Sequence, residues 1–207
     1  ELSTEEASSP TKSAKVPGTT ANNQYRNALN FTSTAATATE HLTWKFMFYD
    51  SNPTGNPQRN YANLQTAAAV GATATLLSLG LNNNLLNAAG PGPRYMARVL
   101  NYDGGTGAGA YFKLDGGVGT ERQLGWNELR VDIYQNKLVF FVNGIECQTA
   151  TLATPSYSHI RLGSGLSNGS VTAYFDDMSV ALVPEPATML LLGLGSLVLV
   201  RRHRQTA

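Results

Sequence analysis

The chain has 207 residues, 15 basic and 14 acidic, a formal net charge of +1, and only 14% charged residues against 42% hydrophobic. An ordinary soluble domain carries about 25% charged residues; here Thr, Ser, Asn, Ala and Gly fill the deficit, as in many exported β-rich proteins. Arg201, Arg202, Arg204 and Glu185 lie in the C-terminal tail, which leaves 12 basic against 13 acidic residues elsewhere and excludes a basic field for nucleic acid.

The length suits one domain of about 150–200 residues plus tails. The chain opens on Glu1 with neither a charged n-region nor an apolar h-region. That start fits an exported protein whose signal peptide has been removed, or a fragment of one. Residues 1–24 are rich in Ser, Thr, Pro and charge and hold no apolar period, so they read as a disordered or loosely attached leader.

From Tyr25 the pattern changes, and residues 25–183 read as one domain. Trp44, Phe46 and Phe48 alternate in "HLTWKFMFYD", the period of a strand. Pro53, Gly55 and Pro57 then break it. Residues 61–83 mix β-branched and small residues; Gly71 and Gly80 favour strand pieces, with a short helix at Ala67–Ala69 as the alternative. "RYMARVLNY" and "GAYFKLD" are short strands around the glycine-rich "DGGTGAG".

The clearest unit begins at Trp126. Leu129, Val131 and Ile133 alternate with polar residues, Gln135-Asn136-Lys137 turns the chain, and Leu138, Phe140 and Val142 alternate back. Asn143-Gly144 signals a type I′ hairpin, because both positions need positive φ. A third strand runs through Cys147, and "HIRLGSG" and "VTAYFDDMSVAL" supply two more. Such spacing predicts an all-β fold, an antiparallel β-sandwich.

Sites of chemistry are few. As the single cysteine, Cys147 allows no internal disulfide or Cys-based metal cluster and reads as a small buried apolar residue. "GLSNG" matches the nucleophile-elbow spacing around Ser167, with His159 and Asp176 nearby. An elbow needs a following helix, and here a strand follows. Glu128 and Asp132 are the nearest approach to a glycosidase carboxylate pair, and they read as solvent-facing strand residues. Asp176-Asp177 must point to opposite faces of a strand. One of them reads as a loop-pinning acceptor or a ligand to a structural Ca2+ ion. Tyr95, Tyr102, Tyr111, Trp126, Tyr134 and Tyr157 are candidates for a sugar platform, most of them better suited to packing.

The tail, residues 184–207, is distinctive. Pro184-Glu185-Pro186 is stiff and extended. Ala187–Val200 is apolar all round and would span about 21 Å as a helix, short of a bilayer core of about 30 Å. Arg201-Arg202-His203-Arg204 follows and marks the cytoplasmic side. This order of tripeptide, single short transmembrane helix and basic end resembles the PEP-CTERM sorting signal of Gram-negative bacteria. The resemblance implies an exosortase partner that cleaves near the tripeptide. It implies an inner-membrane-anchored precursor with its body outside the cytoplasm, and an envelope or extracellular destination, often in a biofilm matrix.

A second resemblance covers about residues 125–182. The strand opening on Trp126, the strand ending Val142-Asn143-Gly144, "IRLGSG" and Phe175-Asp176-Asp177-Met178 resemble a concanavalin A-like jelly roll of the laminin-G-like kind. It implies two curved sheets of about a dozen strands. It also implies non-catalytic binding of carbohydrate or a protein partner, a polysaccharide or matrix protein, on a face or rim. A jelly-roll glycoside hydrolase and a self-associating fibre subunit are the alternatives.

Overall fold

The computed structural model describes residues 2–9, 11–18, 25–53, 60–66, 76–82, 94–99, 110–163 and 172–185. Thirteen strands form two antiparallel sheets, and no described residue is helical. The strands are β1 (Leu2–Ser3), β2 (Ser13–Val16), β3 (Tyr25–Thr34), β4 (Glu40–Asp50), β5 (Asn60–Gln65), β6 (Leu76–Asn82) and β7 (Arg94–Val99). They continue with β8 (Ala110–Lys113), β9 (Gly125–Ile133), β10 (Lys137–Val142), β11 (Ile145–Thr151), β12 (Tyr157–Gly163) and β13 (Ala173–Pro184).

One sheet has seven strands in the order β1-β2-β13-β4-β9-β10-β11; the other has six, β3-β12-β5-β6-β7-β8. This is the expected jelly-roll sandwich. Alternation builds its core. Trp44, Phe46 and Phe48 of β4, Leu129, Val131 and Ile133 of β9 and Phe140 of β10 face Leu64, Leu77, Leu79 and Ala97 of the other sheet, all buried. Each large apolar side chain buried in this way contributes about 1.5–3 kcal/mol.

The predicted hairpin is present. Asn143 and Gly144 have φ of 50° and 79°, and Asn143 returns its amide N–H to the Glu128 carbonyl at 2.9 Å. Gly80 meets a different demand. Its φ is +146°, and a Cβ there would lie 2.2 Å from the Asn60 carbonyl oxygen, so the contact between β6 and β5 requires glycine.

Two expectations are corrected. The leader is not outside the fold: β2 extends the seven-stranded sheet by pairing Val16, Lys15 and Ala14 with Ala173, Tyr174 and Phe175 of β13. Composition scored this segment as unable to build a core, but it needs only an available strand edge. The body also does not stop before the tripeptide. β13 runs through Pro184, which sits opposite Glu40, and Glu185 donates its N–H to the Thr39 carbonyl at 2.8 Å. Antiparallel partners bond at alternate residues, so the nitrogen of Pro184 faces away from β4. No described strand lies on that side, and a residue without an N–H fits there.

No helix among the described residues is long and apolar enough to cross a membrane. The apolar run 187–200 lies outside the described residues, as do Pro186, Arg201, Arg202 and Arg204.

Candidate functional site

The outward face of the six-stranded sheet carries a polar row. Register places Arg161 of β12 beside Asn63 of β5, Asn63 beside Ser78 of β6, Ser78 beside Arg98 of β7, and Arg98 beside Tyr111 of β8. Five neighbouring strands, about 4.8 Å apart, give a row about 19 Å long. The alternate residues on these strands, including Leu64, Leu77, Leu79, Ala97 and Ile160, fill the core. That alternation turns the polar residues outward.

The row is buried although it faces away from the core: Asn63 and Ser78 are 0% exposed and Arg98 7%. Ser78 Oγ donates to Asn63 Oδ1 at 2.6 Å, and Asn63 Nδ2 donates to the Arg161 carbonyl at 3.3 Å. The Arg98 guanidinium lies over the Tyr111 ring, 5.0 Å from its centroid. One residue pair along, His159 stands opposite Gln65. The His159 ring nitrogen Nδ1 is 2.6 Å from Ser158 Oγ.

Gln65 is 1% exposed, yet neither its amide nitrogen nor its amide oxygen has a hydrogen-bond partner, and Arg161 Nε has none either. Buried polar groups without partners cost about 1–3 kcal/mol each.

Charge on this face is one-sided among the described residues. Arg94, Arg98, Lys113 and Arg161 share its parity, and Asp115, 4.0 Å from Arg94, is the one carboxylate close by. Burial pushes the Asp115 carboxyl above its usual range, against the opposing pull of Arg94 and Lys113.

The outward face of the seven-stranded sheet is built differently. Lys45 lies 3.8 Å from Glu128, Arg130 3.6 Å from Asp132, and Thr43 donates to Asp132 at 2.8 Å. Arg130 also covers the Phe141 ring at 3.8 Å, and His41 stacks on Tyr134 at 4.9 Å. Tyr49, Trp126 and Tyr174 meet edge-on at its other end. Glu128 and Asp132 are engaged in these contacts, with Asp132 buried rather than solvent-facing. Four residues apart on one strand, they stand about 13 Å apart, beyond the glycosidase range of about 5–10 Å.

A strut joins the sheets at one end. Arg122 donates to both oxygens of Asp50, Nε at 2.7 Å and Nη2 at 2.8 Å, and Tyr95 donates its hydroxyl to the same carboxylate at 3.0 Å. Desolvation beside Asp50 drives the Tyr95 phenol well above its usual range, so it stays a donor.

Asp176 is a loop-pinning acceptor. It takes the backbone N–H of Ser8 at 2.8 Å, of Ser9 at 2.9 Å and of Asp177 at 2.9 Å, and the Ser9 hydroxyl at 3.2 Å. Burial opposes ionisation, but the backbone donors outweigh it and hold the carboxyl below its usual range. Asp177, φ 46°, forms the adjoining bulge. Both Asp176 oxygens are engaged, and no group of three His, Cys, Asp or Glu able to hold a metal occurs among the described residues.

The remaining candidates scatter. Ser167 and Tyr102 lie outside the described residues. Tyr95 and Tyr157 are fully buried. Cys147 is half-buried, donates to the Phe140 carbonyl, and has its pKa pushed up to about 12 by desolvation. The sequence reading missed the polar row except for Tyr111. Its trace was one polar residue at the outward parity of each apolar strand, as in "NYANLQ" and "LLSLGLN".

Comparison with known proteins agrees with this architecture. The fold is that of β-sandwich jelly rolls found in carbohydrate-binding proteins and polysaccharide lyases. The alginate lyase AlyC3 is similar over 83% of this chain and 74% of its own, with TM-score 0.52 and 11% identity. The carbohydrate-binding module CBM66 from Bacillus subtilis is similar over 79% and 94%, with TM-score 0.43 and 12% identity. Sheep galectin-11 is similar over 79% and 98%, with TM-score 0.41 and 12% identity. No curated protein matches the chain by sequence. Residues 182–205 match the PEP-CTERM protein-sorting motif. The chain thus carries a signal for exosortase-dependent export to the cell envelope or beyond.

Proposed function

We propose that the body is a non-catalytic module that binds an acidic polysaccharide along the row Arg161-Asn63-Ser78-Arg98-Tyr111, and that the tail delivers it to the envelope or matrix. The observation that carries this reading is the one-signed, buried polar row with the unpartnered amide of Gln65 beside it. Arginine grips carboxylate or sulfate through a planar fork. Amides such as Asn63 and Gln65 serve sugar hydroxyls as donor and acceptor at once. AlyC3 is named as an alginate lyase, which supports a polysaccharide as the class of ligand for this chain.

The test is affinity electrophoresis of the mature protein in gels holding a uronate polymer or a neutral glucan. Retardation is expected with the uronate polymer, weakening with salt. Arg98→Ala and Arg161→Ala should each weaken it about tenfold or more, as loss of a desolvated charge contact costs at least about 2 kcal/mol. Equal retardation in both gels, or none lost by the variants, would refute the reading.

His159 and Tyr111 on the same face favour a lyase as the second reading. A cation row can neutralise a uronate carboxylate while a nearby side chain takes the proton α to it. The appearance of unsaturated sugar ends in the uronate incubation would replace binding with catalysis.

A further inference from the structure

We infer that the folded body engages Pro184 and Glu185 of the sorting tripeptide, and that the end of β13 is a latch that must peel from β4 before cleavage. This rests on the reading of the tail as an exosortase substrate. The motif begins at residue 182, inside a strand of the body. Leu182, Val183 and Pro184 stand opposite Leu42, His41 and Glu40. Motif and fold therefore compete for the same backbone.

Glu185 closes the latch at two points. Its N–H bonds the Thr39 carbonyl at 2.8 Å. Its carboxylate lies 3.4 Å from His41 Nδ1, with its side chain only 26% exposed. The His41 ring is itself held by its stack on Tyr134. The receiving turn is firm, because Thr37 bonds Glu40 through both its backbone N–H and its hydroxyl. An enzyme that takes an extended peptide needs the peptide's backbone groups for itself. Those of Val183 and Glu185 are engaged with β4.

The latch is also positioned to open alone. Ala173–Phe175 pair with β2, and Phe175 and Asp176 pair with β4 as well. The bulge at Asp176–Ser179 then separates them from the terminal stretch, which pairs with β4 only, among the described residues. Leu182 and Val183 are among the few exposed large apolar residues of the body. A segment paired on one side and weakly buried lies at the low-stability end of a fold. Fraying there leaves the core strand pairs intact.

The experiment uses the full-length precursor in membranes that contain exosortase. His41 and Val183 form a directly opposed, hydrogen-bonded pair, about 5.5 Å between Cα atoms, within disulfide reach. In H41C/V183C the oxidised form should resist cleavage, and reductant should restore it. Cys147, with its half-buried, weakly acidic thiol, stays out of the exchange. His41→Ala should speed cleavage about two- to five-fold, the loss of one partly exposed polar contact and of the ring that stacks on Tyr134. A four-residue Gly-Ser insertion between Val183 and Pro184, which leaves every body residue in place, should speed it further. Equal rates for the oxidised and reduced forms, or an insertion variant no faster than wild type, would overturn the latch alone. A wild-type precursor never shortened would overturn it together with the processing reading.

Discussion

On the outward face of the seven-stranded sheet, Lys45 meets Glu128 and Arg130 meets Asp132. On the outward face of the six-stranded sheet, buried Arg98 and half-buried Arg161 share a row with an amide and a hydroxyl. The first face sets its charges beside opposite ones, with Lys45, Glu128 and Arg130 partly in water and Asp132 buried. The second gathers charge of one sign, with Arg98 buried and Arg94, Lys113 and Arg161 half-buried. Both sheets share one core and one alternation. The difference between their faces is therefore not imposed by folding.

The largest expected effect comes from breaking the strut that holds the two sheets in place. Arg122→Met leaves Asp50 buried beside Tyr95 without its bidentate partner, and should cost about 3–5 kcal/mol. In a domain of this size that lowers Tm by roughly 6–20 °C, and calorimetry will read it. A loss below about 1 kcal/mol would mean the strut is incidental.

Next is Asp176, which ties the leader to β13. Asp176→Ala removes an acceptor of three backbone N–H groups and should cost about 2 kcal/mol. Its folded pKa is depressed, so its contribution is complete above the unfolded value and is lost as pH falls through the folded one. Wild type should therefore shed protection of the Ser8 and Ser9 amides below about pH 4, while the alanine variant lacks it at every pH. Hydrogen exchange distinguishes the two. Calcium should leave this behaviour unchanged, and a calcium-induced rise in Tm would restore a metal role to Asp176-Asp177.

The smallest effect belongs to the mixed-charge face. Lys45→Ala should shift stability by less than about 1 kcal/mol and leave polysaccharide retardation unchanged. If it weakened retardation as much as Arg98→Ala, the two faces would not differ in function.

Local pattern made much of the fold legible. Leu129, Val131 and Ile133 alternate cleanly, and Asn143-Gly144 announces its turn, because a hairpin is written within about twenty residues. β2 is four residues long and gave no such signal. Its strand identity comes from β13, far away in the chain, so only tertiary pairing reveals it. The polar row was hidden for the same reason. Asn63 and Arg161 lie 98 positions apart, and each is an unremarkable polar residue in its own strand. Only register between strands aligns them. Asp176 was legible as an acidic residue in need of donors, but the donors sit in the leader, which composition had set aside.

Pro184 carries a consequence beyond delivery. From Ser179 to Val183, β13 offers its outer backbone with Leu182 and Val183 exposed beside it, a ready template for another chain to zip onto. A strand arriving there meets a pyrrolidine ring at Pro184, where the ladder calls for a donor. Among the described residues, the proline that opens the sorting tripeptide thus interrupts the one stretch of β13 whose outer backbone is unpaired.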